Sequence, residues 1–216
     1  MSSNTEPVPK FTGAFLKPAC DESNIETIEW LLKQGVDPSA DDNYLIRDLP
    51  AKGDYPELIK ILLADSRVSP DAKNNQALRT ACVHGRIETV KLLLADLRVD
   101  PNAGTDPCIV SAAQSGHLAI VKLLLAHPKV DPTCNQCRPI RYAAVQNHKE
   151  VVLLLLTDPR ITMKLIEDGC KHHCCPSELA YIKNLKKDVE PNELKEAVRV
   201  AIDAMNKLLL VIEKTN

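Results

Sequence analysis

The sequence predicts an all-α fold made of stacked pairs of short helices. A unit of about 31 residues recurs along the chain, and Pro38, Pro70, Pro101 and Pro132 mark it at spacings of 32, 31 and 31 residues. Each unit also contains two short segments whose apolar residues fall on one helical face. A unit of this size cannot bury its own apolar face, so we expect neighbouring units to stack and to share one core.

The first helix of each unit carries an aliphatic residue followed by two small residues. In the unit that spans residues 69–99, these are Leu78, Ala81 and Cys82. The small residues lie three and four positions after the aliphatic one and therefore share its face of the helix. Small side chains on that face allow a neighbouring helix to pack closely.

The second helix of each unit is amphipathic. In the same unit Ile87, Val90 and Leu93 recur at helical spacing, and the proline that opens the next unit ends the helix. Because Leu93 recurs as Leu124 and Leu155 in the following units, we expect all three leucines to be buried between successive units.

These units resemble ankyrin repeats. The family pattern TPLHxAA is echoed by PIRYAA at residues 139–144, and the pattern G-H-x-x-I/V-x-x-L-L is matched at residues 116–124. The resemblance covers residues 15–161. It implies a solenoid of helix pairs with a concave face formed by first helices and loops, which binds another protein and catalyses no reaction.

The repeat also departs from the family pattern. It is about two residues shorter than the usual length of about 33 residues, and the missing residues fall in the β-turn finger, which we expect to be stunted. The histidine of TPLH is replaced by Arg47, Arg79, Val110 and Arg141.

The repeat pattern divides the chain into four parts. They are an N-terminal tail (1–14), one partial and four complete repeats (15–161), a degenerate repeat or connector (162–190) and a C-terminal helix (191–216). The last segment places apolar residues four and three positions apart, at Leu194, Val198, Ala201, Met205, Leu208 and Ile212. We expect this helix to cap the exposed end of the stack; the alternative is a coiled coil that dimerises or binds a partner.

Composition excludes several classes of function. The net charge of -2 and the absence of clustered Lys and Arg exclude a nucleic-acid footprint. The longest apolar run, residues 151–156, is too short to cross a membrane, and the polar N-terminus lacks the pattern of a secretory signal. We expect a monomer in the cytoplasm, with the nucleus as the alternative compartment.

A cluster of cysteines and histidines raises the question of a metal site. Cys134 and Cys137 have the spacing of zinc ligands, and Cys170, His173 and Cys174 follow about one repeat later. Zinc bound by these residues would make the chain a metal-binding regulatory protein or an enzyme, and a disulfide is a further alternative.

Most of the cysteines have a simpler explanation in the repeat. Cys20, Cys82 and Cys175 stand where other units have alanine, and buried cysteine is a common small hydrophobe. No catalytic motif accompanies them. We therefore expect ordinary reduced thiols, no metal and no cofactor.

The expected binding residues lie on the first helices and the short fingers, at positions that ankyrin proteins commonly present to partners. They are Asn43, Arg47, Asn75, Arg79, Val83, Asp106, Val110, Gln114, Arg141, Tyr142, Gln146 and Asn147.

Overall fold

The computed structural model describes residues 13–173 and 176–188. A short 3-10 helix at Gly13–Phe15 precedes the α-helices, and no strand occurs in the described ranges. The α-helices in chain order are α1 (Leu16–Asp21), α2 (Ile25–Lys33), α3 (Ala40–Lys52), α4 (Pro56–Ala64), α5 (Ala72–Val83), α6 (Ile87–Ala95), α7 (Cys108–Gln114), α8 (Leu118–Ala126), α9 (Cys134–Val145), α10 (Lys149–Leu156), α11 (Met163–His173) and α12 (Pro176–Asp188).

The helices form consecutive pairs that stack in chain order. Odd-numbered helices pack on odd-numbered ones, as α5 does on α3 and α7, and α6 packs on α4 and α8. Leu93, Leu124 and Leu155 are each 0 % exposed, which confirms their predicted place in the core. The fold is therefore the predicted all-α solenoid of helix pairs.

The N-terminal pair contains both helices of a unit. The sequence pattern indicated mainly a second helix in this region, but α1 supplies a first helix of six residues. Ala19 and Cys20 of α1 are buried, in the place of the small residues of later first helices. Close packing between α1 and α3 therefore follows the same rule as in the other units.

In three units a tight left-handed turn stands in the place of the β-turn finger, inside the first turns of α3, α5 and α9. Residues 41–43, 73–75 and 135–137 all have φ between 51° and 61°. The third residue of each turn is buried: Asn43, Asn75 and Cys137. At Asn43 the buried side chain connects the turn to the next unit, because its Oδ1 accepts a hydrogen bond of 2.7 Å from the backbone N–H of Ser69.

The residue that precedes each second helix ties its unit to the one before. Arg86, His117 and His148 share this position and each bonds to a carbonyl oxygen near the end of the preceding first helix. These bonds are Arg86 Nε to Pro50 O (3.0 Å), His117 Nε2 to Val83 O (2.9 Å) and His148 Nε2 to Gln114 O (3.0 Å). A carbonyl only accepts, so the histidine nitrogens are the donors.

The stack continues beyond the clear repeats. Helix α11 packs on α9, and α12 packs on α9 and α10. Ile166, Cys170, Ile182 and Leu185 are buried in this region. The expected capping helix at 191–216 lies outside the described residues, as does most of the N-terminal tail.

Candidate functional site

The candidate site is the first-helix face. It consists of the accessible side of α3, α5, α7 and α9, including the left-handed turn at the start of α9, and of the turn that precedes α7. Sequence reasoning assigned twelve binding residues to this face on the expectation that they are exposed. For five of them the structure contradicts that exposure: Asn43, Arg47, Asn75, Val110 and Arg141 are buried. These five side chains have too little exposed surface to be available to a partner.

The buried arginines show why exposure was wrongly expected. Arg47 donates from Nη1 to Gln76 Oε1 (3.2 Å) and from Nη2 to the carbonyl of Asp41 (3.3 Å). Arg141 donates from Nη1 to the carbonyl of Gly169 in the following unit (2.7 Å). A buried cation needs hydrogen-bond partners. The bonds to Gln76 and Gly169 connect neighbouring units at the position of the family's missing histidine, whereas the bond to Asp41 lies within one unit.

Seven predicted residues remain accessible on this face. Four are exposed (Val83, Gln114, Gln146 and Asn147) and three are half-buried (Arg79, Asp106 and Tyr142). Asn147 also has a structural role, because its φ of 61° matches the left-handed backbone at Gly85 and Gly116 at the ends of other first helices.

A row of exposed side chains runs across three consecutive units. Val83, Gln114 and Val145 are the last residues of α5, α7 and α9. The two valines are 44 % and 51 % exposed. Sequence reasoning missed Val145, although its repeat position, 31 residues after Gln114, is a signal that could have identified it.

A cleft of about 510 Å³ lies at one end of this face, beside α9 and the turn that precedes α7. It is lined by Thr105, Asn135, Gln136, Arg138 and Tyr142.

Arg138 organises the side chains of the cleft. Its Nη1 lies 2.6 Å from Asp106 Oδ1, and its Nη2 donates to the Tyr142 hydroxyl at 2.6 Å. The guanidinium also lies 4.6 Å from the centre of the Tyr142 ring. Sequence reasoning missed Arg138, though its position four residues before Tyr142 on one helix places the two side chains together.

A second tyrosine lies near the N-terminal end of the first helices. The Tyr44 hydroxyl donates to Asp21 Oδ1 at 2.6 Å, which raises the pKa of Tyr44 and lowers that of Asp21. Lys17 lies 5.0 Å from the centre of the Tyr44 ring. Both tyrosines are therefore held by a hydrogen bond and by a cation over the ring, but Tyr44 does not line the cleft.

The thiols do not present a metal site in the described part of the chain. Burial raises the pKa of Cys134 to about 12 and that of Cys137 to about 11, which opposes the thiolate form that binds zinc. Within residues 13–173 and 176–188, no group of three or more Cys, His, Asp or Glu residues could hold a metal ion. Cys174 and the side chain of His173 lie outside the described residues.

The described helices also have no membrane-crossing character, since none is both long enough and apolar enough to span a bilayer.

The fold and the first-helix face define a helical-repeat protein. The chain belongs to the ankyrin repeat family: the family's sequence profile, described as ankyrin repeats (3 copies), matches residues 16–105 and 98–164. Ankyrin repeats generally mediate protein–protein interaction. Searches of curated proteins and of solved structures found no match.

Proposed function

We propose that this chain is an adaptor or scaffold that binds a partner protein through the concave, first-helix face and catalyses no reaction. The observation that carries the proposal is the exposed row of Val83, Gln114 and Val145. Two valines about half exposed at one repeat position give apolar contact area beside polar neighbours, which is the usual composition of a binding surface.

The row is also held rigidly. His117 and His148 donate to the backbone carbonyls of Val83 and Gln114, so the ends of α5 and α7 are fixed to the units that follow them. A surface that is ordered before binding loses less conformational entropy when the partner docks. Rigidity therefore supports the binding function.

The finer parts of the proposal follow from the sequence. We place the protein in the cytoplasm, with the nucleus as the alternative, and expect it to bind as a monomer. Residues 162–190 extend the stack as a degenerate repeat, and residues 191–216 cap it. Sedimentation of the full chain tests the oligomeric state, because a dimer would favour the coiled-coil alternative for the C-terminal segment.

The binding face can be tested with matched arginine substitutions. Val83→Arg and Val145→Arg introduce a bulky charge on the first-helix face, and Ile61→Arg does the same at a residue of α4 that is 50 % exposed. Partners are captured from lysate of cells that naturally express the protein and identified by mass spectrometry. Their affinity for each purified variant is then measured by calorimetry.

We expect a partner to bind the wild type and the Ile61→Arg variant alike, and to bind the two valine variants at least about tenfold more weakly. Circular dichroism confirms that each variant is folded. A partner whose binding is weakened only by Ile61→Arg would place the interface on the second helices and refute the proposal.

A further inference from the structure

We infer that the cleft beside α9 takes an extended, uncharged segment of a partner polypeptide, with a bulky apolar side chain of that segment against Tyr142. This inference rests on the proposed binding function and specifies the chemistry of the partner. It concerns the cleft lined by Thr105, Asn135, Gln136, Arg138 and Tyr142.

The charge in the cleft is already balanced. The only charged lining residue is Arg138, whose Nη1 lies 2.6 Å from Asp106 Oδ1 and whose Nη2 is bonded to the Tyr142 hydroxyl. An acidic ligand would have to displace Asp106 to reach the guanidinium, and a basic ligand would meet the guanidinium as a like charge. Electrostatic complementarity therefore favours an uncharged segment.

The hydrogen-bonding groups in the cleft suit a polypeptide backbone. The Asn135 amide donates to the carbonyl of Thr105 at 2.7 Å, which fixes the side chain and leaves its Oδ1 as an acceptor. The exposed amide of Gln136 can both donate and accept. Tyr142 accepts from Arg138, so the hydrogen of its hydroxyl remains for donation. An extended chain presents alternating N–H and C=O groups that match such a mixture.

An apolar surface adjoins these polar groups. The Arg138 guanidinium lies over the Tyr142 ring, and Tyr142 as a whole is half-buried. Val145 is 51 % exposed and lies three residues further along α9, on the same side of the helix. A bulky apolar side chain of the ligand would bury apolar surface against both Tyr142 and Val145. A small or polar side chain would bury less and would add little to the binding free energy.

The cleft is formed in advance by the left-handed turn at the start of α9. Asn135 and Gln136 have φ of 51° and 61°, and the following residue, Cys137, is fully buried and bonded through its N–H to the carbonyl of Thr133 (2.9 Å). The burial of Cys137 anchors the turn, so the two exposed amides are held in place before a ligand arrives.

The test is selection of peptides on the immobilised full chain from a random library displayed on phage. We expect enriched peptides to carry an aromatic or large aliphatic residue flanked by uncharged residues. Binding of a synthetic enriched peptide is then measured by fluorescence anisotropy at about 50 and 500 mM salt, where an uncharged contact should change less than about twofold.

Three variants assign the peptide to the cleft. Tyr142→Ala should weaken binding by at least about tenfold, and Tyr142→Phe, which keeps the ring and its packing, should weaken it less. Tyr44→Ala removes a tyrosine with the same kind of contacts outside the cleft and should leave affinity within about twofold of the wild type. Thermal melts show that each variant is folded.

Several results would overturn the inference. They are enrichment of acidic peptides, affinity that falls steeply with salt, equal binding to the wild type and Tyr142→Ala, or no enrichment at all. The two proposals fail separately. If Val83→Arg and Val145→Arg abolish capture of a partner that Tyr142→Ala still binds, the first-helix face is correct and the cleft assignment is wrong. If only Ile61→Arg weakens binding, the first-helix face itself is wrong.

Discussion

At the scale of single residues, Gly116 is required for two reasons: its backbone is left-handed, and a side chain there would collide with a neighbouring ring. Its φ is +75°, and an added Cβ would lie 2.5 Å from the ring of His148, whose Nε2 donates to Gln114 O. We therefore expect Gly116→Ala to destabilise the protein by about 2 to 3 kcal/mol, from backbone strain together with displacement of the ring. Urea denaturation measures the free energy of unfolding.

Gly35 provides the matched control for that substitution. Its φ is +81°, but nothing lies within 4 Å of an added Cβ. Gly35→Ala should therefore lower the free energy of unfolding only through backbone strain, by about 1 kcal/mol. Equal losses in the two variants would show that the contact with His148 contributes nothing.

His127 makes stability depend on pH. Burial lowers its pKa, the nearby Lys129 lowers it further, and a hydrogen bond with the backbone of Leu94 opposes the shift. The unfolded chain, with a histidine pKa of about 6.5, therefore takes up this proton more readily than the folded chain. The stability from neutral His127 is complete above about pH 6.5 and is lost as pH falls towards the lower folded pKa.

The variant His127→Asp tests this dependence, because aspartate stands at this repeat position at Asp96, where it pairs with Arg98 at 2.6 Å. We expect urea denaturation at about pH 7.5 and pH 5.5 to show a smaller loss of stability in the variant than in the wild type. The same loss in both proteins would assign the pH dependence to other groups.

At the scale of elements, the left-handed turns are held by their buried third residue. Asn43 Oδ1 accepts from Ser69 N–H, while Asn75 Oδ1, at the same place in the next turn, has no partner among the described residues. Both asparagines have positive φ, so alanine brings similar backbone strain to each. Asn43→Ala should therefore cost about 1 kcal/mol more than Asn75→Ala in denaturant melts. The opposite order would mean that the bond to Ser69 does not stabilise the turn.

The second helices α6, α8 and α10 each bury one leucine in the core. Leu124 of α8 is 0 % exposed, and Leu124→Ala should destabilise the protein by roughly 2 to 5 kcal/mol through lost burial and a cavity. Leu97, in the loop after α6, is 91 % exposed, and Leu97→Ala should change stability by less than about 0.5 kcal/mol. A loss below about 1 kcal/mol for Leu124→Ala would contradict its place in the core.

Sequence periodicity predicted the helices and their buried faces. Each unit packs against similar neighbours, so the same kinds of apolar residue recur at its buried positions. Periodicity did not predict whether side chains at the junctions between units are buried or exposed. Arg47 and Arg141 look exposed in the sequence, since arginine is usually at the surface. In the structure both are buried, with part of each guanidinium hydrogen-bonded to a carbonyl or amide oxygen near a unit junction and with Nε without a partner among the described residues. The cleft was not predicted because it is formed by contacts between two units: Asn135 bonds to Thr105, and Arg138 pairs with Asp106.

At the scale of the whole molecule, the stability of each unit depends on its contacts with the neighbouring units of the stack. Helix α6 contacts α4 on one side and α8 on the other, whereas α12 packs on α9, α10 and α11 at the C-terminal end of the described chain. In such a solenoid each unit is stabilised by its neighbours, so opening begins at the ends. The proposed binding face on α5, α7 and α9 therefore lies on units that stay folded when the ends open.

Native-state hydrogen exchange can separate these units. Ile182 of α12 and Leu93 of α6 are both 0 % exposed, so alanine at either site removes a similar packed side chain. We expect Ile182→Ala to speed exchange in α11 and α12 and to leave α5–α8 unchanged, because the helices that α12 packs on are α9, α10 and α11. Leu93→Ala should speed exchange on both sides of α6, from α3 to α8, because it weakens two interfaces. If both variants raise exchange uniformly along the chain, the stack unfolds as one cooperative unit and the nearest-neighbour description is wrong.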